Sequence, residues 1–189
     1  MPCPPEVPYL LRALGQCVSL ISERSHERLL QRLLVVNMWA CSDAVAASLA
    51  DLLASLVSAQ AACLTPCLEM LVRNFVPSPA GSCASPAPPA PAEERRVLGH
   101  VHAALGRILA LVPLAPSALL PVLLRRLPHR RLHVSTQLLF LRSLWRLAEG
   151  PCGAVLRDGI LLAVVDRILE LDLEVFGARL LLGWKRFFP

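Results

Sequence analysis

The sequence predicts an all-α protein, and three features carry this prediction. Hydrophobic residues make up 55% of the 189 residues and charged residues 17%, so the chain can bury a sizeable core. Leucine and alanine dominate, whereas aromatic residues make up only 5%, a composition that favours helices over strands. Apolar residues recur at a spacing of three and four residues along most of the chain, which is the period of an amphipathic helix.

The first 60 residues predict three helices. A first helix follows a proline-rich leader, and a second is expected at about residues 27–39. The third helix begins with Ser42 as its expected N-cap, and Asp43 lies in the first turn, where its charge suits the helix dipole. The apolar positions that define the first helix are Leu10, Leu14, Cys17, Leu20 and Ile21.

Cys63 and Cys67 flank a Thr-Pro pair and raise the question of a metal or redox site. A structural zinc site takes about four Cys or His ligands, usually in two close pairs, and the sequence holds no second pair. Thr65 can instead cap a helix that has Pro66 at its first position. We therefore expect Cys63 in a turn between antiparallel helices and Cys67 in the core. The apolar stripe predicted for this helix consists of Cys67, Leu68, Leu71 and Phe75.

A segment rich in proline, alanine and serine divides the chain into two helical halves. Such a composition is typical of a flexible, partly polyproline-like linker. Helical patterns resume after it, and Pro116, Pro128 and Gly150 mark the breaks between them. The predicted organisation is helical repeats over residues 1–76, the linker over 77–92, further helical repeats over 93–175 and an atypical C-terminal tail over 176–189.

The predicted helices pair with a period that is typical of solenoid proteins. Antiparallel pairs of roughly 35 to 45 residues are the repeating unit of HEAT and armadillo folds. We therefore predict a HEAT-like helical-pair solenoid that forms a partial superhelix. No clear internal sequence repeat accompanies this period, so an irregular helical bundle is the alternative.

The common catalytic motifs are absent from the sequence. It contains no Gly-rich phosphate loop, HExxH pair or nucleophile elbow, so we expect no enzyme activity, cofactor or small-molecule substrate. No apolar run reaches about 18 unbroken residues, and no signal peptide is evident, so we expect no membrane span and an intracellular location. The seven scattered cysteines are typical of reduced core thiols.

The segment RRLPHRRLHVST, residues 125–136, is the candidate site for a partner contact. The formal net charge of +5 comes almost wholly from arginine, because Lys185 is the single lysine. Pro128 should expose the cluster in a turn, where guanidinium groups could bind carboxylate or phosphate. The candidate partner-binding residues are Arg125, Arg126, Arg130, Arg131, Ser135 and Thr136.

The same residues also have a purely structural interpretation. Arg125 and Arg126 could complement the dipole at a helix C-terminus, and Ser135 and Thr136 could cap the next helix. Phosphorylation of those hydroxyls would add negative charge beside the arginines and could weaken the binding of an acidic partner. No aromatic residues interleave with the arginines, so sequence-specific reading of DNA is not expected.

Three segments carry a resemblance to a known family. They are LVSAQAACLTPCLEMLVRNFVP, HAALGRILALVPLAPSALLPVLLRRLP and LLAVVDRILELDLEV, and they resemble consecutive blocks of the RNA polymerase I-specific transcription initiation factor family. The resemblance runs in one order from about Leu10 to Glu174. It implies a non-enzymatic HEAT-repeat superhelix in the nucleus and nucleolus. Such a factor bridges the polymerase I stalk to the promoter-bound selectivity factor at ribosomal DNA through protein contacts.

The sequence also departs from that family. The insert after FVP is usually acidic and bears serines, whereas here it is rich in proline and alanine, and His133 stands where a serine is usual. Residues 176–189 do not resemble the family's continuation, and an incomplete solenoid would expose an apolar face, so we expect marginal stability or self-association. The alternatives are a HEAT-type adaptor with another partner, a basic nucleic-acid binder, or a non-functional truncated fragment.

Overall fold

The computed structural model describes residues 6–77, 89–129, 132–150 and 153–184, with side chains up to residue 169. The all-α prediction is confirmed, because these residues form helices and no strand. Short 3-10 turns at residues 18–20, 38–40 and 61–63 separate some of the helices. The α-helices are α1 (Val7–Gln16), α2 (Glu27–Leu34), α3 (Asp43–Ala59), α4 (Leu64–Arg73), α5 (Pro91–Leu111), α6 (Ala115–Arg125), α7 (Val134–Glu149) and α8 (Gly153–Trp184).

Most of the helices pack against the next helix but one in the sequence, and these contacts arrange them in two rows. Helices α1, α3 and α5 contact one another in order, and so do α2, α4, α6 and α8. Neighbours in sequence join the two rows, through α3 with α4, α4 with α5 and α5 with α6. Helix α7 packs against α8 at the end of the arrangement. Helix α4 therefore contacts helices of both rows.

The predicted helix boundaries hold for α3 and shift elsewhere. Ser42 occupies the N-cap position of α3 in extended backbone, with Asp43 in the first turn, as expected, but the Ser42 side chain makes no capping hydrogen bond. Helix α2 ends at Leu34, because Asn37 is extended and its side chain accepts a hydrogen bond from Trp39 N at 3.0 Å, which starts a separate 3-10 turn. The second helix expected at residues 27–39 is therefore shorter than predicted.

The start of α4 also differs from the sequence prediction. Cys63 is the N-cap residue and α4 begins at Leu64, so Thr65 is not the cap and Pro66 is the third helical residue. Proline is tolerated there, because the first four N–H groups of a helix have no partner within the helix. The prediction for the cysteines is confirmed: Cys63 lies in the 3-10 turn before α4, and Cys67 is buried in the core.

The centre of the core is the buried face of α4. Cys67, Leu68, Leu71 and Phe75, the predicted apolar stripe, have no exposed surface. The Phe75 ring stacks on the imidazole of His102 from α5 at 5.3 Å and meets Phe140 from α7 edge-on at 5.5 Å. One side chain after α4 thus joins α5 and α7, although the three residues are far apart in sequence.

Asn74 holds the end of α4 to the turn before α3. Its side-chain oxygen accepts a hydrogen bond from Met38 N at 2.8 Å, and its amide nitrogen donates to Met70 O at 2.8 Å. Its main-chain carbonyl accepts from the indole of Trp39 at 3.0 Å. Asn74 is buried, so these bonds satisfy groups that water cannot reach.

Polar side chains connect α3 and α5 along their exposed edge. His100 Nε2 lies 2.6 Å from an oxygen of Asp43, Arg107 pairs with Asp51, and Arg96 donates to the Cys41 carbonyl at 3.1 Å. Such exposed pairs add little stability individually, but they fix which face of α5 turns toward α3. His102, two residues after His100, consequently lies on a different side of α5.

Two sequence expectations concern regions that the structure covers only in part. Residues 78–88, most of the predicted linker, lie outside the described residues, and α5 begins just after them at Pro91. Helix α8 runs through the predicted boundary at residue 175 as far as Trp184.

Among the described residues, none of the helices combines the length and the apolar character needed to cross a bilayer.

Replacing Asn74 with alanine should destabilise the protein by about 2 to 3 kcal/mol, because the buried N–H of Met38 and the carbonyl of Met70 lose their side-chain partner. Urea denaturation followed by circular dichroism measures the change. Ser58→Ala is the control, since its exposed hydroxyl bonds to Ser55 O and to no other residue that the structure describes, and it should stay within about 0.5 kcal/mol of the native chain. A native-like midpoint for Asn74→Ala would contradict this role.

His102 should make stability fall as the solution is acidified. Burial, with a smaller contribution from Arg146, lowers the pKa of His102 from 6.5 to about 4. Between pH 6.5 and about 4, His102 therefore binds a proton in the unfolded chain but not in the folded chain. Stability is lost as pH falls through that range. We expect a loss of roughly 3 kcal/mol at pH 4 from this residue. His102→Phe, which keeps an aromatic ring beside Phe75, should remove that part of the slope in urea titrations at several pH values.

Cys67 should resist alkylation in the folded protein, whereas Cys17 should react. Burial, with a smaller contribution from Cys63, raises the pKa of Cys67 to about 12, so almost no reactive thiolate forms near neutral pH. Cys17 is exposed. Iodoacetamide pulses analysed by peptide mass spectrometry, with and without urea, measure both sites. Equal labelling of the two cysteines without urea would show that the core around α4 is open.

Candidate partner-binding surface

Arg125 and Arg126 lie at the C-terminal end of α6, as the sequence predicts. Arg125 is the last helical residue, and Arg126 is the C-cap, whose backbone N–H bonds to carbonyls of the final turn. Their side chains are 61% and 41% exposed. Cations are favourable at this end of a helix, so the position of both residues fits their structural interpretation.

A single carboxylate serves both arginines. The Arg125 Nη2 lies 2.5 Å from one oxygen of Glu69 in α4, and the Arg126 Nη2 lies 3.8 Å from the other. Two guanidinium groups therefore share one negative charge. The pair retains positive charge at a partly exposed position between α4 and α6, where it is available to an acidic group.

Arg73 adds a third guanidinium, one helical turn beyond Glu69. It donates to the carbonyl of Leu34 at 2.5 Å. Burial, and then the nearby positive charge of Arg126, lower the pKa of Arg73, while Glu69 acts in the opposite direction. An additional anion beside Arg73 and Arg126 would relieve their mutual repulsion. We call Arg73, Arg125 and Arg126, together with the hollows around them, the arginine groove.

Three adjoining hollows surround Arg73. Their volumes are about 170, 180 and 240 Å³, and Arg126 lines the first and the last. The first hollow also takes in Thr136 at the start of α7, together with Pro128 and Leu132. The groove therefore combines fixed positive charge with apolar walls, which is the composition of a surface that binds an acidic protein segment.

The structure brings together only some of the predicted site residues. Arg126 and Thr136 line one hollow, while Arg125 lies on Glu69. Ser135 is half-buried, and its hydroxyl lies 2.7 Å from the Nδ1 of His133. Arg130 and Arg131 lie outside the described residues.

The expected capping by Ser135 and Thr136 is wrong. His133 is the N-cap residue of α7, and its ring nitrogen accepts a hydrogen bond from the backbone N of Ser135 at 3.3 Å. Ser135 and Thr136 are therefore the second and third helical residues. An imidazole acceptor can replace the usual side-chain oxygen, so the serine and threonine rule placed the cap two residues too late.

Arg73 and Glu69 were not found by sequence reasoning. Both lie in α4, more than 50 residues before the basic segment, and only the packing of α4 on α6 brings them together. The available signal was the spacing of four residues between an acidic and a basic side chain, which places both on one helix face.

The turn after α6 is held by α8, because Arg167 from α8 donates to the Pro128 carbonyl at 2.9 Å.

Guanidinium groups dominate the chemistry of this surface. Guanidinium groups remain charged and bind carboxylate or phosphate in a planar, two-pronged geometry. In the portion of the chain that the structure covers, no group of three or more His, Cys, Asp or Glu side chains could hold a metal ion.

Comparison with known proteins identifies the relatives of this chain. A family model described as RNA polymerase I specific transcription initiation factor RRN3 matches residues 2–178. The RNA polymerase I-specific transcription initiation factor RRN3 of Mus musculus is 31% identical over 128 residues, which covers 65% of this chain and 19% of the mouse protein. This chain thus spans about a fifth of that relative's length. No solved structure matches the chain.

The family match extends over nearly the whole sequence, including α4, α6 and the arginine groove between them. It agrees with the resemblance seen in the sequence, which covers residues 10–174. The chain belongs to the RNA polymerase I-specific transcription initiation factor family RRN3.

Proposed function

We propose that this chain acts in transcription initiation by RNA polymerase I, as an interaction module without catalysis. Membership of the RRN3 family carries the proposal. In this role the chain would work in the nucleus, at the ribosomal DNA of the nucleolus. It would contact the polymerase stalk and the promoter-bound selectivity factor, and so bridge the two through protein contacts.

A HEAT-like solenoid is the architecture that suits such a bridge. Two rows of helices, each packed against the helix two places along, are the arrangement expected of stacked helical pairs. A solenoid offers a long surface to a partner because each repeat contacts mainly its neighbours. The contacts among α1, α3 and α5 and among α2, α4, α6 and α8 support this architecture.

The arginine groove is the proposed contact with the polymerase. Its charge suits an acidic surface, and its apolar hollows offer room for side chains beside the salt bridges. Arg125 and Arg126 project outward from the end of α6, whereas Arg73 is tied to Leu34. We therefore assign partner contact to Arg125 and Arg126, and positioning to Arg73 and Glu69.

The double variant Arg125→Ala and Arg126→Ala should capture RNA polymerase I at least about tenfold less efficiently than the native chain, because charged pairs at the centre of an interface are costly to remove. The immobilised chain is incubated with nuclear extract, and bound polymerase I is quantified by its subunits. Native-like circular dichroism of the variant ensures that the loss is one of contact.

The matched control changes two other exposed arginines, Arg12 of α1 and Arg95 of α5, to alanine. It removes the same net charge and should retain capture, which separates a local contact from general charge attraction. Equal losses in both double variants would overturn the assignment to the groove. Absence of capture by the folded native chain would overturn the proposed function. Retention on duplex DNA with a steep salt dependence would favour the nucleic-acid alternative.

A further inference from the structure

A second recessed site lies between α5 and α7, away from the arginine groove. It has a volume of about 260 Å³ and is formed by one face of α5 together with the C-terminal part of α7. We call it the α5–α7 cleft. Its lining residues are Gly99, His102, Ala103, Gly106, Leu109, Arg146, Leu147 and Gly150.

Two glycines keep the floor of this cleft open. Gly99 and Gly106 are seven residues apart in α5, so they lie on one face of the helix. A methyl group at either position would meet no atom within 4 Å. By contrast, a methyl group at Gly159 would lie 2.6 Å from Leu120 Cδ2, so the Leu120 side chain would have to move to make room for it. Glycine is unfavourable inside a helix, and at Gly99 and Gly106 its structural consequence is an open floor.

The polar groups of the cleft lack partners. Arg146 is exposed and makes no ion pair with any residue that the structure describes, and none of the lining residues is acidic. The Nε2 of His102, at the cleft wall, is buried without a hydrogen-bond partner among the described residues. The Phe75 ring covers one face of the imidazole. A buried polar atom without a partner is unusual in a folded protein.

We propose that the α5–α7 cleft binds a glutamate or aspartate side chain of an acidic peptide segment in a partner protein. The carboxylate pairs with the guanidinium of Arg146, and the adjoining methylene groups lie on the floor formed by Gly99, Ala103 and Gly106. A small rotation of the His102 ring turns its Nε2 toward the carboxylate, which supplies the missing partner when that nitrogen carries the proton.

The size of the cleft favours a single side chain over a small molecule. Sites for drug-sized ligands usually have about 300 to 1,000 Å³, and they bury most of the ligand. The cleft has about 260 Å³ and is walled by two helices, with no third element over it among its lining residues. A peptide can place one residue in such a cleft while its backbone remains outside. Because Arg146 lines the cleft and no carboxylate does, the cleft favours an acidic residue.

Nuclear magnetic resonance of the full 189-residue chain tests the proposal. The probe is an acetylated eight-residue peptide of alternating glutamate and leucine, and the same peptide with glutamine in place of glutamate is the uncharged control. We expect the acidic peptide to shift the amide signals of Gly99 and Gly106 and the ring signals of His102. The glutamine peptide should leave them in place.

Two variants localise the binding. Gly106→Leu fills the floor and improves helix propensity, so it should fold while weakening the peptide's effect on these signals at least about fivefold. Arg146→Gln should weaken it by a similar factor, because it removes the charged partner. Gly15→Leu is the matched control: Gly15 lies in α1, also has open space at its Cβ position, and does not line the cleft. It should leave the titration within about twofold of the native chain.

Three results would overturn the proposal. Unchanged titration of Gly106→Leu or Arg146→Gln would remove the cleft as the site. Shifts confined to residues around Arg73 and Arg126 would assign the peptide to the arginine groove instead. Equal shifts with sodium glutarate at the same carboxylate concentration would show that a free dicarboxylate suffices, which contradicts recognition of a peptide.

Discussion

The buried hydrogen bonds of Asn74 hold two parts of the core together. They tie the C-terminal end of α4 to the turn that precedes α3, through the backbone of Met38 and the indole of Trp39. The residues on either side of Asn74 then have fixed directions. Phe75 turns into the core against His102 and Phe140, while Arg73 donates to the Leu34 carbonyl and lies close enough to Arg126 for that charge to lower its pKa. Asn74 therefore lies between a residue of the core and a residue of the arginine groove.

Contacts made by α4 and by Phe75, which follows it, link the two candidate sites. On one side, Glu69 and Arg73 face the end of α6. On the other, Phe75 stacks on His102, whose ring forms part of the α5–α7 cleft. A partner at the groove would contact α4 directly, whereas an acidic segment at the cleft would contact α5 and α7. The apolar core between them has little freedom to rearrange, because close-packed interiors shift only at a cost.

The sequence was sufficient for those features that depend on local chemistry. Apolar periodicity predicted the helices and the buried stripe from Cys67 to Phe75, and Pro128 and Gly150 correctly marked breaks. The break predicted at Pro116 was wrong, because α6 begins at Ala115 and Pro116 lies in its first turn. Cap positions were less predictable: a backbone turn at Asn37 shortened α2, and His133 took the N-cap that serine or threonine usually fills. Neither event is visible in a pattern of apolar residues.

The candidate sites required tertiary structure. The basic segment was evident from its arginines, but Glu69 and Arg73 joined it only through the packing of α4 on α6. The α5–α7 cleft gave no sequence signal, because single glycines in a helical pattern indicate only a weaker helix. The space beside Gly99 and Gly106 becomes apparent once α7 is placed opposite α5. The sequence therefore indicated Arg125 and Arg126 of the groove, but neither Glu69 nor Arg73. It gave no indication of the cleft.

Hydrogen exchange of the chain with and without purified RNA polymerase I would locate the polymerase contact without altering a residue. We expect slower exchange in the presence of polymerase at the C-terminal ends of α4 and α6 and at the start of α7, around Arg73, Arg126 and Thr136. Exchange that slows only elsewhere, for example along α1, would contradict the assignment of the polymerase contact to the arginine groove.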